Sequence, residues 1–248
     1  MTSHPAAAGP EIKNNYKGAF MKYSRIVWPS LAALLLSACA SNPQLAVPFG
    51  DNPLNAQSGR VGVVMTALPK VDTSFPGAYC LLCMAAASAA NSSLTKHTHT
   101  LGAEDLLTLK DTIAVRLRKR GVDATVIADN LDLKQLKDFS GGGVNVAKKD
   151  FRVLKDKYKV DHLIVVDITN LGFVRNYSAY ISQGEPTAQI GGTISVVNLS
   201  TNTYDFYVSI NQSKVAEGAW DEPPNFPNLT NAYYAVVESG KDVVQNPF

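Results

Sequence analysis

One run of nine residues limits the possible folds more than any other. Residues 161–169 read Asp-His-Leu-Ile-Val-Val-Asp-Ile-Thr. The run is too short for a typical helix, is rich in β-branched side chains and is apolar on both faces. A strand of that kind sits inside a sheet with both faces covered. Residues 60–66 (Arg-Val-Gly-Val-Val-Met-Thr) have the same character, and residues 121–128 read as a further strand. Helical periods lie between them. In residues 102–120, Leu106, Leu109, Ile113 and Leu117 recur at three- and four-residue steps and form one apolar stripe. Glu104 and Asp105 stand in the first turn of that segment. Arg116, Arg118, Lys119 and Arg120 stand in its last, which complements the helix dipole, and Gly121 supplies the stop. Residues 147–158, with Phe151, Leu154 and Tyr158 on one side, predict a second helix. Strand–helix–strand–helix–strand implies a sheet covered by helices.

From Arg175 onward the period changes to two. Residues 177–182, 188–197 and 204–212 predict three antiparallel strands, and Gly191-Gly192 marks a bulge or a close approach. Residues 220–228 form a Pro-rich loop. Residues 231–245 read as a closing helix that Gly240 weakens. The expected fold is therefore α/β (α+β): a mixed sheet with helices packed on it, ending in antiparallel strands and a C-terminal helix.

Ahead of this body, Leu36-Ser37-Ala38-Cys39 closes the apolar run of residues 26–36, and Lys22 and Arg25 precede it. A basic start, a short apolar core and small residues at the end are the parts of a secretory signal. The run is too short to span a bilayer as a mature helix. The four closing residues resemble the lipobox of bacterial lipoproteins. That resemblance implies cleavage before Cys39, acylation of Cys39, and a membrane tether of two or more acyl chains, which gives stable anchoring. Ala40 follows Cys39. In bacteria resembling the enteric type, Asp at that position retains a lipoprotein in the inner membrane. Its absence implies the periplasmic face of the outer membrane. The signal begins at Met21, and translation starts there or at Met1, with residues 1–20 an upstream extension. Residues 1–38 are then extension and signal, residues 39–58 a flexible linker with Pro43, Pro48, Pro53 and Gly50, and residues 59–248 one periplasmic domain.

Charge needs correcting for the leader. The chain has 23 Lys+Arg and 21 Asp+Glu. Removing Lys13, Lys17, Lys22, Arg25 and Glu11 leaves 19 and 20, a net charge of −1. A near-neutral body lacks the footprint of a nucleic-acid binder. The basic cluster from Arg116 to Arg120 reads as helix C-terminal charge.

The order of elements also resembles the periplasmic α/β domain of curli-secretion-channel (CsgG-type) lipoproteins and the TolB amino-terminal domain. The residues that carry this are the lipobox, the Arg-Val-Gly-Val-Val strand of residues 60–64, the helix of residues 106–120 ending at Gly121, the strand of residues 163–166 and the strand–turn–strand of residues 194–203. Those relatives are channels, scaffolds or activators. The resemblance implies a binding or assembly role without catalysis and without a cofactor, by analogy of fold alone. The implied partners are the membrane, through Cys39, and an envelope protein or a second copy.

The unusual stretch is residues 73–95, an apolar insertion that carries no charge between Asp72 and Lys96. Residues 79–90 are Ala-rich and predict a helix. Its Leu81, Leu82 and Met84 either pack against the domain or form an exposed surface for a partner, an oligomer or the membrane. A β-barrel pore is not expected, because the alternation is missing. Cys80-Leu81-Leu82-Cys83 has three readings. The cysteines are two small hydrophobes, a local disulfide in an oxidising compartment, or zinc ligands with His97 and His99. The last has the C-x2-C spacing, but its His pair is closer than usual. A thioredoxin-like site is disfavoured by the bulky central residues and by the lack of a strand leading into the motif.

Ser93-Leu94-Thr95-Lys96 matches S-x-x-K of penicillin-recognising enzymes, but the companion motifs are absent. An envelope hydrolase using Ser93 and Lys96 is the alternative function. Ser140-Gly141-Gly142-Gly143 lacks the G-K-[ST] of a phosphate loop. Asp167, Asp221 and Glu222 show no pairing by spacing.

Overall fold

A computed structural model describes residues 43–50 and 54–248. Cys39, and the acylation expected there, lie outside the described residues. Among those residues, no helix is long and apolar enough to cross a membrane.

The sheet is mixed and six-stranded. Strand β1 (Val61–Met65) is buried at every position. It lies between β3 (Ala124–Val126) and β4 (His162–Ser178), parallel to both, with Val63 opposite Val126 and Ile164. β5 (Ile181–Asn198) runs antiparallel to β4, and β6 (Thr203–Val215) antiparallel to β5. The order is β3-β1-β4-β5-β6. A short strand not foreseen from the sequence, β2 (Asp72–Ser74), pairs parallel to the far half of β4, with Thr73 opposite Phe173. β1 and β2 thus occupy the same flank of β4 in succession.

The alternation along β1 and β4 divides two layers. Val61, Val63, Met65, Ile164 and Val166 face α3 (Leu109–Lys119) and α5 (Pro227–Gln245), where Leu109, Ile113, Leu117, Tyr233, Val236 and Val237 are buried. Val64, Leu163 and Val165 face the smaller layer of Ile127, Leu131, Phe151 and Leu154, the last on α4 (Val153–Tyr158). This is the helix-covered α+β arrangement that the periods imply. Gln44–Phe248 form one compact unit.

Several elements differ from expectation. The expected helix over residues 102–120 opens with a 3₁₀ turn, Glu104–Thr108, before α3 begins. Tighter winding is common at a helix start. Here Tyr233 Oη donates to Gly102 O at 2.8 Å and ties down that entry. The helix expected over residues 147–158 is only α4. The buried Asn202 side chain takes the backbone groups a longer helix would use. Asn202 Nδ2 donates to Ala147 O and Lys149 O, at 3.1 and 2.9 Å, and Phe151 N donates to Asn202 Oδ1 at 2.8 Å.

The three antiparallel strands are in fact β4's own extension plus β5 and β6. Residues 177–182 are not a separate strand but the tip of the β4–β5 hairpin, with Ala179 in the left-handed region. The close approach at Gly191-Gly192 is real. A Cβ on Gly192 would fall 2.0 Å from Asp167 O, and the irregularity in the β4–β5 ladder lies opposite, between Ile168 and Asn170.

Helix α5 begins earlier than residue 231, with Pro227 in its first turn, where proline's missing N–H is no loss. Gly240 is where α5 meets β5: a Cβ there would lie 2.8 Å from Ile190 Cγ2. The expected linker is docked in its described part. Val47 and Tyr207 exchange backbone bonds of 2.8 Å, Phe49 stacks on Phe206 at 4.4 Å between ring centroids, and Leu54 is buried.

Candidate functional site

Residues 79–90 form α1 (Leu81–Ala90), followed without a loop by α2 (Ser92–Thr98). Of α1's ten residues only Cys83 and Ala87 are buried. They lie one helical turn apart, so a single thin stripe touches the domain. The rest of an uncharged helix faces outward. Leu81 is 87% exposed, Leu82 71% and Met84 43%. Tyr79, just before the helix, is 91% exposed.

The tip of the β4–β5 hairpin extends this surface. Tyr177 N donates to Pro76 O at 2.7 Å, and Ala179 N to Gly77 O at 3.2 Å. A Cβ on Gly77 would collide with Tyr177 O, so glycine is required for the approach. The contact places Tyr180 Oη 3.6 Å from Cys80 Sγ. Tyr180 (58% exposed) thereby joins Tyr79, Leu81 and Leu82, and the exposed Ile181 (69%) follows it at the hairpin tip. Isolated exposed apolar side chains are ordinary; a contiguous group of them marks an interaction site. Sequence reasoning missed Tyr180 and Ile181 because it placed both inside a strand, although their position between two alternating runs was a turn signal.

A buried polar network holds the joint. Asn91, between the two helices, is fully buried; its Nδ2 donates to Ala87 O at 2.7 Å and lies 2.6 Å from Tyr177 Oη. Its Oδ1 accepts from Arg175 Nη1 at 2.9 Å, and the Arg175 guanidinium lies 4.9 Å from the Trp220 ring centre.

The sulfurs of Cys80 and Cys83 are joined in a disulfide, so the reading of two packed free thiols does not hold. Cys80 is exposed and caps α1, its Sγ accepting from Cys83 N at 2.9 Å. His97 and His99 are directed elsewhere. His97 Nε2 pairs with Thr230 Oγ1 at 2.9 Å, beside the Phe226 ring, and burial lowers its pKa. His99 Nε2 meets Asp72 Oδ1 at 2.8 Å. That hydrogen bond is the main reason the Asp72 carboxyl sits below its ordinary range. The four residues of the zinc reading do not converge, and no cluster of three or more potential ligands occurs among the described residues.

Ser93 and Lys96 are both exposed on α2. Lys96 lines an open groove of about 600 Å³ between α1–α2 and β2, with Met84, Ser88, Ser92 and Thr95; Ser93 is not among its lining residues. A second cleft, about 620 Å³, opens beyond the end of β1, lined by Thr66, Asn130, Asp132, Lys134 and Asp167. Asp167 Oδ1 there accepts from Thr66 Oγ1 at 2.7 Å. Asp221 and Glu222 are exposed in the loop before α5, and no helix directly follows Ser140–Gly143. The basic cluster is partly engaged: Arg116 donates to Gln245 O at 2.7 Å, and Arg118 to Ala124 O at 2.8 Å.

No family model and no curated protein matches this chain. Solved structures similar to it include the PelC dodecamer from Paraburkholderia phytofirmans, at 7% identity and a TM-score of 0.34, over 82% of this chain and 96% of that one. Lipoprotein GNA1162 from Neisseria meningitidis is similar at 11% identity and a TM-score of 0.26, over 73% and 98%. The hypothetical protein CT253 from Chlamydia trachomatis is similar at 8% and 0.29, over 75% and 97%. These are likenesses in outline and assign no role to this chain.

Proposed function

We propose that this chain is a lipid-anchored envelope protein, tethered through Cys39 at the periplasmic face of the outer membrane. It works there without catalysis, by binding another polypeptide through the surface formed by Tyr79, Leu81, Leu82, Met84, Tyr180 and Ile181. The anchor rests on the Leu36–Cys39 motif at the end of a signal-like segment. The binding role rests on one observation: an uncharged helix spends only Cys83 and Ala87 on its own domain and exposes its large apolar side chains beside two tyrosines. Aromatic residues and methionine are enriched, and charges depleted, at the centre of protein interfaces. Burying a leucine is worth about 1.5–3 kcal/mol, which a partner would recover at Leu81 and Leu82.

The test is crosslinking in intact envelopes, comparing wild type with the Leu81→Lys/Leu82→Lys double variant. Loss of one crosslinked partner, with the fold and the membrane fraction unchanged, is the expected result. Loss of a crosslink between two copies of this chain would instead make the surface a self-association face. Unchanged crosslinks would refute the assignment. Cys39→Ser should release the protein from the membrane fraction. Persistence there, with no lipid on wild-type Cys39 by mass, would refute the anchor.

A further inference from the structure

The apolar surface carries a disulfide, Cys80–Cys83, among its exposed side chains. The Cys80–Cys83 bridge spans one helical turn and closes a loop over a sequence separation of only 3, so it removes little entropy from the unfolded chain. It is a weak staple in a domain that already has two packed layers. Its two sulfurs have different surroundings. Cys83 is buried in the core, whereas Cys80 is exposed at the helix N-terminus. Cys80 Sγ accepts from Cys83 N at 2.9 Å and has Tyr180 Oη 3.6 Å away. A helix N-terminus and hydrogen-bond donors favour a thiolate over a thiol. Cys80 is therefore the sulfur an incoming thiol can reach, and the one suited to leave as a thiolate once a mixed disulfide has formed on it.

We propose that Cys80–Cys83 is a redox-active disulfide that exchanges stoichiometrically, one bridge per substrate dithiol, with the thiols of a cysteine-bearing polypeptide docked on the surrounding apolar surface. A substrate thiolate attacks Cys80 Sγ. The Cys80–Cys83 bond breaks, a mixed disulfide forms on Cys80, and Cys83 departs as a thiolate that takes up a proton. A second substrate thiolate then attacks the substrate sulfur of the mixed disulfide and expels Cys80 as a thiolate. The substrate dithiol loses two electrons and becomes a disulfide; Cys80 and Cys83 gain them and become thiols. Leu81 and Leu82, bulky in this position, hold apolar polypeptide against Cys80, and Tyr180, whose Oη lies 3.6 Å from Cys80 Sγ, stabilises that sulfur when it is expelled in the second step. The polypeptide substrate rests on the binding reading above, but the chemistry of the sulfurs does not.

The test uses the purified full chain, reduced glutathione and iodoacetamide, with labelled cysteines located by peptide mass. In the folded oxidised protein, millimolar glutathione should open the bridge, and the adduct should lie on Cys80. In the reduced protein, Cys80 should alkylate at pH 6.5 about threefold or more faster than the same cysteine in a short peptide, the gain in thiolate outweighing its lower nucleophilicity. Tyr180→Phe, at an exposed hairpin tip, should cut that advantage by about half or more. Cys83→Ser should accumulate a stable glutathione adduct on Cys80 when treated with oxidised glutathione. A bridge that resists glutathione while the protein is folded, an adduct on Cys83, or an alkylation rate equal to the peptide's would each overturn the proposal. The wild-type measurements stand even if the Cys83 variant fails to fold. Because glutathione needs no docking surface, failure here leaves the crosslinking test of the binding role untouched.

Discussion

Arg175 donates from Nη1 to Oδ1 of Asn91 over 2.9 Å, joining β4 to the joint between α1 and α2 across 84 residues of sequence. Asn91 is fully buried, and its amide also meets Ala87 O and Tyr177 Oη. Asn91→Ala removes these partners and leaves Arg175 Nη1 without its acceptor, while Arg175 Nε keeps its bond to Gly184 O at 3.1 Å. The expected cost is about 2–3 kcal/mol, because hydrogen bonds to charged groups are the expensive ones to lose. Urea unfolding would measure it. Proteolysis should find the 79–98 segment first. A loss under about 0.5 kcal/mol would mean the network is not what holds the helices on the hairpin.

Leu81 and Leu94 are both leucines of the uncharged stretch, with opposite surroundings: Leu81 is 87% exposed, Leu94 fully buried. Leu94→Ala should cost about 2–5 kcal/mol, the range for truncating a core leucine. Leu81→Ala should change stability by less than about 0.5 kcal/mol, as expected of a surface position. Equal costs at the two sites, measured by thermal or urea unfolding, would contradict an exposed α1.

His97 gives a pH dependence whose sign follows from its burial. Its folded pKa lies below the ordinary 6.5 because burial penalises the charged ring. Between the two values the unfolded chain binds more protons than the folded one, so stability rises with pH there. The contribution is complete above about 6.5 and is lost as pH falls toward the lowered value. Unfolding free energy measured from pH 7.5 down to 5 should therefore decline in wild type and flatten in His97→Gln. The depressed Asp72 and Asp161 carboxyls act in a lower window, losing their contribution as pH drops below the carboxylate range.

Gly172 sits where β2 docks on β4. Its φ is +133°, and a Cβ there would fall 1.9 Å from Asp72 O. Gly172→Ala should add about 1–3 kcal/mol of strain and separate β2 from β4. Amide exchange at Thr73 and Ser74 should accelerate relative to β1. Unchanged protection at β2 would contradict this account.

The sequence alone determined what local chemistry dictates. The runs of residues 60–66 and 161–169 are apolar on both faces, which leaves them no place but a covered sheet centre. The Leu106, Leu109, Ile113 and Leu117 stripe has one helical face to bury. Short-range pattern was enough in both cases because each segment's burial is a property of its own residues. The tertiary structure decided the rest. Whether Leu81 and Leu82 are core or surface depends on which side of α1 the domain occupies, and only the packing of Cys83 and Ala87 selects it. Tyr180 joins that surface because β4 continues past Thr169 to a turn at Ala179, a consequence of pairing with β5 that no local period encodes. The helix expected over residues 147–158 shortens because Asn202, some fifty residues away, takes its backbone hydrogen bonds. Each of these outcomes rests on contacts between segments far apart in the chain, and a pattern read along the chain contains no term for the neighbour that folding brings alongside.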